Sequence, residues 1–196
     1  MIAFTGSAAE TQALAAAIAE LTRAGDVILL AGDLGAGKTT FAKGFGAALG
    51  VDEAITSPTY TLVSQYRGRL ELNHLDVCRL DQIEEVMDHG LAEMLDEGGV
   101  TLIEWGDAII PALPADYLEI RLRIGEGDDD RVVEVHVVGP RWSARTRALT
   151  TALRPWLGEA PAMPEVRELP GDERTERVER TGGAGTDPTG RGDRGE

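Results

Sequence analysis

Short apolar runs separated by glycines predict the regular elements in the first half of the chain. The segment Val27–Ala31 is apolar throughout, which is typical of a strand buried on both faces. Ser7 and Glu10 have the spacing of a capping box, so a helix is predicted to begin there and to end near Gly25. Val100–Ile103 is a second run that indicates a buried strand.

Two pairs of segments have the composition of strands and are separated by short turns, which predicts two hairpins. The pairs are Thr59–Arg67 with Leu70–Cys78, and Tyr117–Ile124 with Arg131–Val138. The second pair alternates apolar and polar residues, so we expect it to keep one solvated face. Apolar residues recur at helical spacing in Asp81–Glu97 and in Arg141–Leu157, which predicts two further helices.

The residues Gly32–Thr39 match G-x-x-x-x-G-K-[ST], the phosphate-binding loop. They follow the predicted strand and precede Thr40–Leu49, a predicted helix that stops near Gly50. Glycines let such a loop curl so that backbone N–H groups face phosphate oxygens, and the helix adds the positive end of its dipole. Lys38 is predicted to reach the terminal phosphates, and the Thr39 hydroxyl to bind Mg²⁺. The predicted nucleotide-binding residues are Gly35, Ala36, Gly37, Lys38, Thr39 and Thr40.

A strand–loop–helix start followed by further strands predicts an α/β fold. We expect a P-loop NTPase-like three-layer sandwich whose mixed, mainly parallel sheet centres on Val27–Ala31 and Val100–Ile103. Antiparallel neighbours from the two predicted hairpins are expected to extend this sheet, and the second of them is an antiparallel C-terminal hairpin.

Composition limits the domain organisation and the function classes. From Gly158 onward the chain is rich in Pro, Gly, Glu and Arg and has few large apolar residues, so residues 158–196 are predicted to be a disordered tail after a P-loop domain over residues 1–157. The net charge of −15 argues against a protein that grips nucleic acid by its own surface. A single cysteine, and no apolar run near the roughly 20 residues of a membrane span, favour the cytoplasm.

Acidic residues at strand ends are the candidates to hold Mg²⁺ or to act on the attacking water. Glu104 ends the apolar run Val100–Ile103, where a P-loop protein places the acid that holds Mg²⁺ or polarises water. Its alternative interpretation is an ordinary surface glutamate. Asp76 shares a strand face with His74 and is a candidate to orient the attacking water or to support Mg²⁺ through a water. The alternatives are a turn-forming aspartate and a packing histidine. The predicted catalytic residues are Asp76, Glu104 and Lys38.

The hydroxyl-rich segment Thr56–Thr61 follows the phosphate-loop helix, where switch segments lie in nucleotide hydrolases. Its hydroxyls are candidates to sense the terminal phosphate, and the alternative is a Ser/Thr-rich turn broken by Pro58. Trp105 has two interpretations, a core residue or part of a mobile lid that faces a partner. Cys78 has no Cys/His cluster beside it in the sequence, which argues against a metal or nucleophile role.

Five stretches of the chain together resemble the TsaE (YjeE) family, bacterial ATPases required for threonylcarbamoyladenosine modification of tRNA. The stretches are Gly32–Thr39, Ser57–Val63, His74–Leu80, Gly90–Glu93 and Ile103–Trp105, and the resemblance spans about residues 7–140. It implies ATP rather than GTP, Mg²⁺ held by Thr39 and Glu104, and an adenine near Ala9–Thr11. It also implies switch roles for Ser57, Thr59, Thr61 and Trp105, and roles in turnover for Asp76 and Trp105. Cys78 departs from the family, which usually has tyrosine there.

The resemblance implies an ATPase that is slow alone and stimulated by its partners, the threonylcarbamoyl transferase subunit and its paralogous companion, with no direct binding of tRNA. A small P-loop nucleoside or metabolite kinase is the main alternative, although Asp81–Glu97 carries none of the arginines of a kinase lid. A signalling GTPase is the other, but Asn73–Asp76 has histidine where the guanine-reading motif has lysine.

Overall fold

The computed structural model describes residues 1–58, 63–77, 98–105 and 113–158. All described residues belong to one compact unit, Met1–Pro161. The predicted helix over Asp81–Glu97, the residues Thr59, Thr61 and Cys78, and the predicted tail beyond Gly158 lie outside the described residues. No helix in the described ranges is long and apolar enough to cross a membrane.

The described residues build a seven-stranded mixed sheet in the order β1-β7-β6-β2-β5-β4-β3. The four inner strands run parallel, and antiparallel strands complete both edges. This confirms the predicted α/β fold class, with the phosphate-loop strand β2 directly beside β5. The strands are β1 (Ile2–Thr5), β2 (Val27–Ala31), β3 (Val63–Tyr66), β4 (Leu72–Asp76), β5 (Val100–Glu104), β6 (Tyr117–Ile124) and β7 (Arg131–Val138).

The two predicted hairpins are present, but the predicted direction of their inner strands is wrong. We expected both hairpins to extend the sheet as antiparallel neighbours, whereas β4 pairs in parallel with β5, and β6 pairs in parallel with β2. Only the outer strand of each hairpin, β3 or β7, runs antiparallel to the inner strands of the sheet. The direction in which a hairpin enters a sheet depends on the connection that leads to it. The composition of the hairpin's own strands therefore does not predict their direction.

The main core lies between one face of the sheet and the helices α1 (Ala8–Ala19), α2 (Lys38–Ala48) and α4 (Thr146–Leu153). The short helix α3 (Pro140–Ser143) adds the fully buried Trp142 to it. Strand β2 supplies Ile28 and Leu30 to this core, and Val27 and Leu29 to a smaller cluster on the other face. This explains why the strand is apolar at every position. The helix predicted over residues 81–97 lies outside the described residues, so the third layer of the sandwich stays a prediction.

Helix α1 begins as predicted and ends early. The Ser7 hydroxyl accepts a hydrogen bond from the Glu10 N–H, and the Glu10 carboxylate accepts one from the Gly6 N–H, at 3.1 and 2.7 Å. The helix stops at Ala19 rather than near Gly25, and the Leu21 and Thr22 N–H groups donate to carbonyls three residues earlier, those of Ile18 and Ala19. The side chains of Thr22 and Arg69 also donate to the Ala19 carbonyl, so this helix end is satisfied locally.

The predicted helix over Arg141–Leu157 is interrupted at Arg145, where a buried ion pair forms. The Arg145 guanidinium donates to both oxygens of the Asp26 carboxylate, at 2.5 and 2.8 Å, and lies over the Trp142 ring. Both charged side chains are buried. The pair joins the last helices to the start of β2, which is a tertiary contact without a local sequence signal.

Removing one member of this pair is expected to destabilise the fold strongly. Asp26→Ala leaves the buried Arg145 guanidinium without its counter-ion, and we expect the free energy of unfolding to fall by about 3–5 kcal/mol. Denaturant unfolding followed by circular dichroism measures this. The double variant Asp26→Leu/Arg145→Met should recover most of the loss, because a well-packed apolar pair carries no uncompensated charge. An unchanged unfolding midpoint in Asp26→Ala would contradict the assignment.

Candidate nucleotide-binding site

Three glycines of the loop between β2 and α2, Gly32, Gly35 and Gly37, have positive φ. Gly32 has φ 141°, and a Cβ atom there would overlap the Leu122 carbonyl oxygen of the neighbouring strand. Gly37 has φ 108° and is the N-cap of α2. A left-handed residue directly before a helix turns the chain sharply, so the loop curls over the helix N-terminus as a phosphate-binding loop must.

Lys38 begins α2 and is 5% exposed. Its ammonium donates to the carbonyl oxygens of Gly32 and Asp33, at 2.7 and 2.9 Å, and lies 3.7 Å from the centre of the Trp105 ring. The ammonium is therefore held at the loop by backbone carbonyls on one side and an aromatic face on the other. This is the residue that sequence reasoning assigns to the terminal phosphates.

Trp105 has a backbone conformation that non-glycine residues rarely adopt. Its φ of 60° is the only positive value for a non-glycine residue in the described ranges. Its backbone N–H donates to the Leu30 carbonyl, and its half-buried side chain packs on the smaller apolar cluster. Residues held in this region cluster at functional sites. Trp105 thus joins the apolar cluster to Lys38, and its predicted switch role stays a prediction.

The predicted acids lie side by side at the ends of two parallel strands. Asp76 of β4 and Glu104 of β5 are partners in the sheet register, and both are buried. His74 is fully buried, and its Nε2 atom lies 2.9 Å from the Glu104 Oε1 atom. The Ser57 hydroxyl donates to the Asp76 Oδ2 atom at 2.8 Å. The fold therefore brings together four candidate residues from three parts of the chain.

The acid pair lies beside the phosphate loop. Glu104 is the register partner of Leu30, so it stands next to the end of the strand that leads into Gly32. The Thr39 side chain is half-buried in the first turn of α2. A hydroxyl and a carboxylate are hard oxygen donors, and the Oε2 atom of Glu104 takes no part in the bond to His74.

This donor set fits Mg²⁺. The described residues contain no group of three or more His, Cys, Asp or Glu side chains placed to hold a metal. Mg²⁺ bound to a nucleotide does not need one, because it takes one or two protein ligands together with phosphate oxygens and water.

Sequence reasoning missed one residue that contacts the loop. Arg131, at the start of β7, donates from its Nε atom to the Ala36 carbonyl at 2.9 Å. Arg131 and Asp129 also line a small cavity of about 40 Å³ together with Ala8, Thr11, Gly37 and Thr40. Thr11 belongs to Ala9–Thr11, the part of α1 that is expected to lie near an adenine, and Ala8 directly precedes it. Local sequence gave no signal for Arg131, because its partner lies 95 positions earlier in the chain.

Residues 5–133 match the family described as threonylcarbamoyl adenosine biosynthesis protein TsaE. The chain belongs to the TsaE family. This confirms the resemblance that the sequence motifs indicate. The matched region includes the phosphate loop, both acids and Arg131, so every described candidate residue lies within the TsaE family region.

Individual TsaE relatives and one solved structure agree with this membership. The chain is 43% identical over 134 residues to the tRNA threonylcarbamoyladenosine biosynthesis protein TsaE of Bacillus subtilis. This aligned region covers 68% of this chain and 83% of the relative. The protein of the same name from Treponema pallidum is 43% identical over 118 residues, covering 60% and 87%. The crystal structure of YdiB from Bacillus subtilis superposes with a TM-score of 0.67 at 36% identity, covering 77% of this chain and 94% of YdiB.

Proposed function

We propose that this chain binds ATP with Mg²⁺ and hydrolyses it in the biosynthesis of threonylcarbamoyladenosine in tRNA. Membership of the TsaE family supports the pathway. The observation that carries the ATPase proposal is the register of β2, β5 and β4. It places Glu104 beside the end of the strand that leads into the phosphate loop, and Asp76 next to Glu104.

Each residue has a distinct part in the proposed reaction. The loop N–H groups and the Lys38 ammonium bind the phosphates. Thr39 and Glu104 would hold Mg²⁺, which neutralises charge on the phosphate oxygens when it is bound. His74 orients the Glu104 carboxylate through the contact at Oε1. Asp76, anchored by the Ser57 hydroxyl, orients the attacking water.

The proposed partners are the threonylcarbamoyl transferase subunit and its paralogous companion, in the cytoplasm. The net charge of −15 supports a protein that docks on other proteins and leaves the contact with tRNA to them, because binding of nucleic acid depends on Lys and Arg that neutralise phosphates. We expect these partners to stimulate a slow intrinsic hydrolysis.

Phosphate release from ATP, measured with and without the transferase partners, tests the activity. Nucleoside analysis of tRNA from cells depleted of the protein tests the pathway. We expect hydrolysis that increases with the partners, and loss of threonylcarbamoyladenosine on depletion. Transfer of phosphate to a nucleoside or metabolite in place of water would favour the kinase alternative, and modification that persists after depletion would contradict the pathway.

The magnesium ligands are tested by comparing two binding titrations. Thr39→Ala and Glu104→Ala are expected to weaken ATP binding in the presence of Mg²⁺ by about 10-fold or more, and to leave metal-free binding nearly unchanged. The reason is that their oxygens contact the ion rather than the nucleotide. Glu71→Ala, an exposed glutamate just before β4, is the control. An equal loss with and without Mg²⁺ would exclude these residues as its ligands.

A further inference from the structure

One arginine side chain connects the phosphate loop to the turn between β6 and β7. The Arg131 Nε and Nη2 atoms donate to the carbonyl oxygens of Ala36 and Gly35, at 2.9 and 3.4 Å. Its Nη1 atom donates to the carbonyl oxygens of Asp128 and Asp130, at 2.9 and 2.7 Å. The guanidinium therefore binds two carbonyls of each loop.

Hydrogen bonds within the turn position the carbonyls that accept from this arginine. The Gly125 N–H donates to the Asp130 carbonyl at 2.8 Å, and the Asp130 N–H donates to the Gly127 carbonyl at 3.1 Å. The Asp130 carboxylate also accepts from the Gly127 N–H at 3.0 Å. These bonds hold the turn carbonyls in one place, so the guanidinium has a defined position from which to hold the phosphate loop.

The bond to Ala36 fixes the orientation of the Ala36–Gly37 peptide unit in the phosphate loop. In a planar trans peptide the C=O and the next N–H point in opposite directions. Because the Ala36 carbonyl points toward the Arg131 guanidinium, the Gly37 N–H of the same peptide points away from it. Gly37 is in the left-handed region, outside the regular geometry of α2, so the helix alone does not impose this orientation.

The donor count favours a positioning role over direct contact with a ligand. A guanidinium has five N–H groups. The four bonds to carbonyl oxygens use four of them, and all four acceptors belong to the backbone. The carbonyl dipoles held by Arg131 would otherwise be able to turn toward a bound phosphate and repel it.

We propose that Arg131 is a positioning residue that holds the phosphate loop in its binding conformation from the side of the β6–β7 turn. This inference rests on the proposed binding of ATP. In this role Arg131 couples the β6–β7 turn to the affinity for nucleotide phosphates, through the orientation of the Ala36–Gly37 peptide.

The experiment is isothermal titration of the full chain with ADP and with pyrophosphate, both without Mg²⁺. Arg131→Ala is expected to weaken both ligands by a similar factor, about 10- to 100-fold, which is the size expected for lost charge-assisted hydrogen bonds. Arg131→Lys should remain close to Arg131→Ala, because an ammonium lacks the planar fork that spans both loops. Arg147→Ala, an exposed arginine on α4, should bind like the wild type.

Amide hydrogen exchange gives a readout that a change in global stability would not produce. We expect faster exchange confined to residues 33–38 and the turn in Arg131→Ala, with the core strands unchanged. If that variant does not fold, Asp130→Ala takes its place, because it loosens the turn without removing the guanidinium, and a smaller loss of affinity is expected.

Two outcomes would overturn the positioning role. The first is wild-type affinity for pyrophosphate in Arg131→Ala, or in Asp130→Ala where that variant is used. The second is wild-type affinity in Arg131→Lys, which would show that charge alone suffices. A wild-type chain that binds neither ATP nor ADP would instead contradict the proposed function, so the two failures are distinguishable.

Discussion

Lys38→Ala is expected to weaken ATP binding by at least about 100-fold while the chain stays folded. The reason is the position of the ammonium, which is nearly buried and is held by the carbonyls of Gly32 and Asp33 beneath the Trp105 ring. A charge in such a site interacts with a phosphate more strongly than a solvated lysine does. Some loss of stability is also expected, because Lys38 does not lie in a solvated loop as the motif alone suggests.

Isothermal titration with ATP and a thermal unfolding curve measure the two effects together. Lys43→Ala is the matched control, since Lys43 is the only other lysine of the chain and is exposed on α2. Wild-type affinity in a folded Lys38→Ala variant would show that this loop does not bind the nucleotide phosphates. A variant that no longer folds would show a structural role for the lysine larger than its contacts indicate.

Asp76→Asn is expected to lower the rate of ATP hydrolysis by about 100-fold or more and to leave ATP affinity within a few-fold of the wild type. Asp76 ends β4 next to Glu104 and accepts a hydrogen bond from Ser57. Asparagine keeps the shape and one acceptor oxygen but loses the charge that holds the attacking water. The loss should be clearest with the transferase partners present, when wild-type turnover is highest.

Phosphate release and ATP titration on the same samples separate the two roles of Asp76. Ser57→Ala should reduce turnover in the same direction by a smaller factor, because it removes a hydroxyl that anchors the carboxylate. Asp52→Asn, at an exposed aspartate after α2, is the control. Unchanged turnover in Asp76→Asn would return this residue to a structural role, and lost ATP affinity would make it a binding residue.

Several parts of the fold follow from the local pattern of the chain. The predicted bounds of β2, β6 and β7 agree with the structure at both ends. A strand buried on both faces is apolar throughout, and a strand at one solvated face alternates, so each carries its own signal. The phosphate loop is equally local, because its glycines and lysine act within a few residues of one another.

What the sequence by itself determined is therefore the fold class, the family and the type of each candidate residue, because these depend on composition and short-range spacing. Only the tertiary structure decided which residues meet. It placed Asp76 beside Glu104 through a sheet register, and His74 against the Glu104 carboxylate. It also set the parallel direction of β4 and β6, and brought Arg131 to the phosphate loop. These contacts join residues distant along the chain, and their energies depend on packing and burial that no local pattern records.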